Sequence, residues 1–198
     1  MGIVRLGLVG GECTGKSTIA EALAMQLTGL IAREVLREFV AKHDRVPEQG
    51  EQRRIMLEQI GREDALARSP GTRAVIGDPA AAMTAVYSDV YYGDSTLVPE
   101  AVEHATRYDL VLWCRPDLPW IPDPGQRDGP EYRALVDGRI DRLVSESLLP
   151  SGIRVLELSG GRASRLAAAV GALASIGALP EQGAPSRAWQ PPASEPAK

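Results

Sequence analysis

The sequence predicts an α/β fold in which a parallel sheet is covered by helices on both faces. Three observations carry this expectation. Short apolar runs alternate with longer helix-periodic segments along most of the chain, the pattern of strand, crossover and parallel strand. The first run, Ile3 to Val9, passes directly into a glycine-rich turn and then a helical segment. Gly10, Asp78 and Arg115 each follow an apolar run, and the carboxyl ends of parallel strands are where such folds bind their ligands.

The elements follow in order. Ile3 to Val9 reads as a buried strand and Lys16 to Leu27 as a helix, with Ile19, Ala20, Leu23 and Leu27 at helical spacing. Thr28-Gly29 ends it, and a short strand at Leu30 to Ala32 leads into a helix from Glu34 to Lys42. Pro47 to Arg68 is a long helix, closed by Ser69-Pro70-Gly71. Thr72 to Gly77 is a β-rich run that stops at Asp78. Helices at Ala80 to Tyr91 and Pro99 to Thr106 flank the turn Gly93-Asp94-Ser95, and Tyr108 to Cys114 is the next strand. From Arg115 to Pro130 the chain is rich in Pro, Gly, Asp and Arg, which suits neither a helix nor a central strand. A helix from Glu131 to Leu149, a strand at Ile153 to Leu158 and a helix from Arg162 to Ala174 complete the alternation. Beyond Leu179 the Pro, Ala, Ser and Gln composition lacks the apolar area needed to fold, so a disordered tail is expected over 180–198.

Composition narrows the class. The chain has 198 residues, 44% hydrophobic, with a formal net charge of -4 and no basic stripe, which argues against a nucleic-acid or membrane-surface partner. No apolar stretch approaches the roughly 20 residues of a membrane span. The first strand follows Met1 too closely for a targeting segment, so a cytoplasmic location is expected. Cys13 and Cys114 have neither metal-ligand nor redox spacing and read as free thiols. His43 and His104 stand alone on predicted helices and read as surface residues.

The most specific signal is Gly10-Gly11-Glu12-Cys13-Thr14-Gly15-Lys16-Ser17-Thr18, a G-x4-G-K-S phosphate-binding loop between a strand and a helix. Gly10 and Gly15 permit the backbone angles and close approach that turn successive N–H groups toward phosphate oxygens. Lys16 is expected to reach the β and γ phosphates of ATP and the Ser17 hydroxyl to ligate Mg2+, while the helix N-terminus faces the same anion. Cys13 contributes through its backbone.

Asp78, at the end of a strand, either faces the Mg2+ and an incoming hydroxyl or caps the following helix. Arg33 and Glu34 either contact a substrate or pair with each other at the surface. In the segment 115–130, Arg127 is placed to close over the transferring phosphate, with Trp120, Asp117, Asp123 and Asp128 around a cationic aromatic ring; otherwise this is a solvated loop anchored by one tryptophan. Trp113, inside the strand, reads as core.

As a set, the phosphate loop, Ala32-Arg33-Glu34, Asp78 through Thr84 to Gly93, and Pro116-Asp117-Leu118-Pro119-Trp120 with Asp123-Pro124-Gly125-Gln126-Arg127-Asp128 resemble the ribosylnicotinamide kinase domain of NadR-type proteins. The likeness spans residues 3 to 160, and its Pro-Asp-x-Pro-Trp and Asp-x-Gly-x-Arg segments are the particular part. It implies a P-loop NTPase fold of the nucleotide-kinase kind and transfer of the ATP γ-phosphate to the 5'-hydroxyl of nicotinamide riboside, giving nicotinamide mononucleotide for NAD synthesis. Such stand-alone domains are also grouped as AAA-type ATPases. Two positions depart from the family pattern: Asp78-Pro79-Ala80 replaces Asp-Thr-Asp, and Pro124 replaces the second acid after Asp123. The bifunctional members carry a nucleotidyltransferase domain ahead of the kinase, so adenylyl transfer is expected to come from another protein.

The expected organisation is therefore a P-loop kinase domain over 1–179 with a lid loop at about 115–130. Lys16, Asp78 and Arg127 are its candidate catalytic residues, Ser17 and Asp78 its Mg2+ ligands, and Gly10 to Thr18 its ATP contacts. Arg33, Glu34, Trp120 and Asp123 are the candidate acceptor contacts for a small-molecule nucleoside. The alternatives are an NTPase or kinase for another nucleoside, or a nucleotide-dependent regulatory module.

Overall fold

The computed structural model describes residues 2–121 and 129–179. The expectations placed on Asp123, Arg127, Asp128 and the tail at 180–198 lie outside the described residues.

In chain order the elements are β1 (Val4–Val9), α1 (Lys16–Leu27), β2 (Gly29–Arg33), α2 (Val35–His43), α3 (Gln49–Ala67), β3 (Ala74–Asp78), α4 (Ala82–Tyr92), α5 (Val98–Ala105), β4 (Leu110–Cys114), α6 (Pro130–Leu143), β5 (Val155–Leu158) and α7 (Arg162–Ser175). The five strands form one sheet in the order β2-β3-β1-β4-β5, with every neighbouring pair parallel. Leu6 is in register with Ile76 on one side and Leu110 on the other, which places β1 at the centre. Every residue of β3 and β4 is buried, as expected of strands covered on both faces.

The strand side chains alternate between two cores. Leu6, Leu8, Ile76 and Leu112 pack with Ile19 and Leu23 of α1 and Leu173 of α7. Val9, Val111 and Trp113 face the other way, against Met56, Met83 and Ile140. Fully burying a side chain of this size contributes about 1.5–3 kcal/mol, so both helical layers are held to the sheet mainly by apolar area. Gly7 is dictated by packing, because a Cβ there would lie 2.7 Å from the Tyr108 ring.

Helix termini follow local chemistry. Glu48 and Glu51 form a capping box at the start of α3, with Glu51 accepting from the Glu48 N–H at 2.8 Å. Pro99 and Pro130 stand in the first turns of α5 and α6, where a missing N–H costs nothing. The expected helix from Glu131 to Leu149 instead ends as a regular helix at Leu143 and continues as a π turn over Val144–Leu148. There the Leu149 N–H donates to the Val144 carbonyl at 3.0 Å, and the widened turn leaves Leu143, Val144 and Leu148 all buried.

His104 also differs from its surface expectation. It is 3% exposed, on the face of α5 that carries Ala101 and Ala105, because a buried carboxylate, Glu63, supplies its partner at 3.0 Å. Among the described residues no helix is long and apolar enough to cross a membrane.

Candidate nucleotide and acceptor site

The loop between β1 and α1 has the backbone its glycines anticipate. Gly10 has φ 152, Cys13 φ 55 and Gly15 φ 78. A Cβ at Gly10 would lie 2.7 Å from the Cys114 carbonyl oxygen, so only glycine lets the loop pass this close to the end of β4. The buried Thr14 hydroxyl donates to the Gly11 carbonyl at 2.7 Å. Lys16 Nζ donates to the carbonyls of Gly10 and Gly11 at 2.8 and 2.7 Å, which keeps the ammonium inside the curve of the loop. Helix α1 starts at Lys16 with no side-chain cap and no acid in its first turn, and Ser17 and Thr18 are exposed there. These features fit a bound polyphosphate, since the first-turn N–H groups and the lysine converge on one side.

Two carboxylates stand next to this loop. Asp78 ends β3, is 5% exposed, and pairs in register with Arg33, the residue before Glu34. Burial pushes the Glu34 carboxyl above its ordinary value, with Lys16 and Arg37 opposing and Asp78 reinforcing the rise. Lys16, Glu34 and Asp78 are thus brought within one electrostatic neighbourhood. Arg33 and Glu34 do not pair with each other: Arg33 reaches Glu21 at 3.4 Å and Glu34 reaches Arg37 at 3.7 Å. Nor is Asp78 the cap of α4, whose N-cap is Ala81. Gln59 of α3 accepts from the Val35 N–H at 3.0 Å and donates to the Ala32 carbonyl at 3.3 Å, fixing the backbone on both sides of Glu34. Sequence reasoning missed Gln59, whose one signal is its place on the buried stripe Ile55, Met56, Gln59 and Glu63.

Among the described residues no three His, Cys, Asp or Glu side chains group to hold a metal ion. Ser17, exposed in the first turn of α1, and Asp78, at the end of β3, each offer an oxygen donor, the ligand type a hard cation such as Mg2+ takes.

The described part of the segment after β4, though exposed at Asp117, Pro119 and Ile121, is tied to the body by several contacts. Arg115 stacks over Trp113 at 4.0 Å and pairs with Asp137 at 3.2 Å. Trp113 is 2% exposed, as expected of a core residue. Asp117 accepts from the Gly160 N–H at 2.5 Å and pairs with the buried Arg165. Burial raises the Asp117 carboxyl, but the Gly160 N–H and the Arg165 charge outweigh it and hold it below the ordinary range. Arg133 of α6 donates to the Leu118 carbonyl at 2.8 Å, and its guanidinium lies 5.6 Å from the centre of the Trp120 ring. Cys13 Sγ donates to the Ile121 carbonyl at 3.4 Å, and neither Cys13 nor Cys114 is in a disulfide.

A depression of about 10 Å³ is lined by Glu12, Tyr87, Tyr91, Tyr132, Arg133 and Val136. Tyr91 and Tyr132 stack with centroids 5.2 Å apart. Burial, together with the charges of Glu34 and Glu12, holds the Tyr87 hydroxyl well above its ordinary value. Tyr87 and Tyr91 lie in the segment Thr84 to Gly93 that carries part of the resemblance, but the sequence assigns no role to them or to Tyr132, because two stand on α4 and the third on α6 and nothing local brings them together.

The sheet order, the phosphate loop and the strand-end carboxylates define a P-loop NTPase of kinase-like architecture. Residues 5–165 match a family model described as an AAA domain, and the chain belongs to that family. No curated protein matches the sequence. Among solved structures the chain is similar to a NadR protein in complex with NAD and AMP-PNP, with TM-score 0.72 and 21% identity over 93% of this chain and 52% of that one. It is similar to a NadR protein in complex with NR, with TM-score 0.69 and 20% identity over 88% of this chain and 50% of that one. A deoxyadenosine kinase from M. mycoides with bound dATP superposes with TM-score 0.56 and 13% identity over 86% of this chain and 99% of that one. The chain therefore spans about half the length of the NadR chains it matches.

Proposed function

We propose that the chain is an ATP-dependent kinase that phosphorylates the 5'-hydroxyl of nicotinamide riboside to give nicotinamide mononucleotide. The observation that carries this reading is the neighbourhood of Lys16, Glu34 and Asp78 at the adjacent ends of β2 and β3. Lys16 and the first turn of α1 hold the triphosphate. Ser17 and Asp78 would hold Mg2+, which would supply neutralisation of the phosphate charge. Glu34, its carboxyl raised by burial, accepts the proton of the acceptor hydroxyl as its oxygen bonds to the γ-phosphorus and ADP departs.

The acceptor half rests on Tyr87, Tyr91 and Tyr132 with Glu12 and Glu34 nearby, a setting that favours a positively charged aromatic ring. Similarity to a NadR protein in complex with NR supports the same acceptor. Trp120 is a second platform, joined to the tyrosines by Arg133, which lies over its ring and in their lining. Arg127 and Asp123 keep their proposed roles over the phosphates and the acceptor. The test is ADP release with Mg-ATP across a nucleoside panel: nicotinamide riboside is expected to exceed uridine, cytidine, adenosine and thymidine, and indifference to every acceptor would remove the kinase reading.

A second reading is a deoxynucleoside kinase, supported by the similarity to deoxyadenosine kinase over 99% of that chain. Deoxyadenosine outpacing nicotinamide riboside in the same panel would select it.

A further inference from the structure

Arg165 is a fully charged side chain that is 1% exposed, in a helix whose other buried positions are Ala169 and Leu173. Arginine cannot shed its proton to escape the cost of burial, so its partners indicate why it is there. Nε donates to the Gly160 carbonyl at 2.7 Å, Nη1 to the Thr14 carbonyl at 2.9 Å, and Nη2 to the Arg115 carbonyl at 3.0 Å, with the Asp117 carboxylate as counter-ion. One guanidinium therefore joins the phosphate loop, the segment leaving β4 and the turn before α7.

The Thr14 contact carries a consequence for the phosphate site. The peptide joining Thr14 to Gly15 is planar and trans, so its C=O and N–H point in opposite directions. Arg165 bonds the Thr14 carbonyl from α7, so the Gly15 N–H points away from the Arg165 guanidinium. Gly15 has φ 78, a conformation from which a glycine peptide plane can readily rotate.

We propose that Arg165 is a positioning residue for the nucleotide: it sets the Thr14–Gly15 peptide plane and so pre-orients the Gly15 N–H toward the polyphosphate. This rests on the nucleotide-site reading above and is independent of which acceptor is used.

The test uses tripolyphosphate as the ligand, which reports the loop without acceptor or turnover, and compares the parent with Arg165→Lys and Asp117→Asn by calorimetry and urea unfolding. Arg165→Lys, which cannot bridge all four partners, is expected to weaken tripolyphosphate binding by about tenfold or more, whereas Asp117→Asn, which leaves the Thr14 bond, weakens it by less than about threefold. Equal affinity in the parent and Arg165→Lys would overturn the proposal and leave Arg165 a tether of the core. A measurement on the parent covers the case in which the lysine variant does not fold: the Gly15 amide resonance is expected to shift on adding tripolyphosphate, and a Gly15 resonance that stays still while binding proceeds would also overturn it. A parent that binds no tripolyphosphate would remove this proposal together with the nucleotide-site reading.

Discussion

The Tyr108 hydroxyl donates to Glu63 Oε2 at 2.8 Å, and both side chains are buried between α3, α5 and the sheet. His104 Nε2 lies 3.0 Å from the same oxygen, so one carboxylate oxygen serves two partners. Removing one leaves a buried charge under-satisfied, and Tyr108→Phe is expected to cost about 1–3 kcal/mol in urea unfolding. Burial and the Glu63 charge hold the Tyr108 hydroxyl well above 10.0. A group raised in the folded state stabilises fully below its unfolded value and loses that contribution as pH rises through the folded one. The parent should therefore lose stability above about pH 10, and Tyr108→Phe should lose less over the same range. Parallel stability profiles for the two proteins up to pH 11 would contradict this.

Lys16→Ala should abolish phosphoryl transfer while leaving the unfolding transition in place. Among the described residues the ammonium bonds to two loop carbonyls, so its loss should open no apolar cavity. A fall in turnover of about a hundredfold or more is the expected scale for losing a charge that stabilises the transferring group. Parent-like turnover would discard the nucleotide site.

The two strand-end acids should separate by pH. Asp78→Asn and Glu34→Gln are each expected to lower turnover by about 100- to 10,000-fold. In its proposed role Glu34 acts when ionised, so the parent rate should rise with pH through a value above 4.5, and that limb should vanish in Glu34→Gln. The same raised carboxyl predicts a gain in stability. Its folded-state contribution is present below 4.5 and is lost as pH rises through the raised value, so at neutral pH the ionised group is a burden that glutamine lacks. Glu34→Gln should then unfold at higher urea than the parent at pH 7, and a lower midpoint would count against the assignment.

On the acceptor side, Tyr132→Ala removes the ring stacked on Tyr91 and should raise the acceptor KM by about tenfold, the scale of one lost ring contact. Trp120→Ala should raise it less. Arg127→Ala should depress turnover more than acceptor binding, as expected of a charge used only during transfer. Unaltered acceptor KM in Tyr132→Ala would return the ring to Trp120.

The fold and the phosphate loop were legible because both are written locally. Glycines at 10 and 15 flanking Cys13-Thr14 state the backbone path, and strand-length apolar runs alternate with helix-length periodic ones. Glu34 and Asp78 were candidates for the same reason, as polar residues at strand ends, and the structure sets those ends side by side. What stayed hidden depends on partners distant in sequence. His104 pairs with Glu63 across 41 positions and Arg165 with Thr14 across 151, and a charged residue on a helix reads as solvent-facing until its partner is known. Arg165 did leave a trace, since it heads the buried stripe continued by Ala169 and Leu173.

The place of β1 between β3 and β4 has a consequence for how this chemistry can vary. The phosphate loop and Asp78 hang from strands bonded side by side, so their separation is set by the ladder repeat of about 4.8 Å and hardly responds to sequence changes elsewhere. The tyrosines belong to α4 and α6, whose positions depend on side-chain packing and can shift with it. Grafting a different α4–α6 face onto this sheet should thus exchange the molecule that is modified while leaving the transfer machinery in tune.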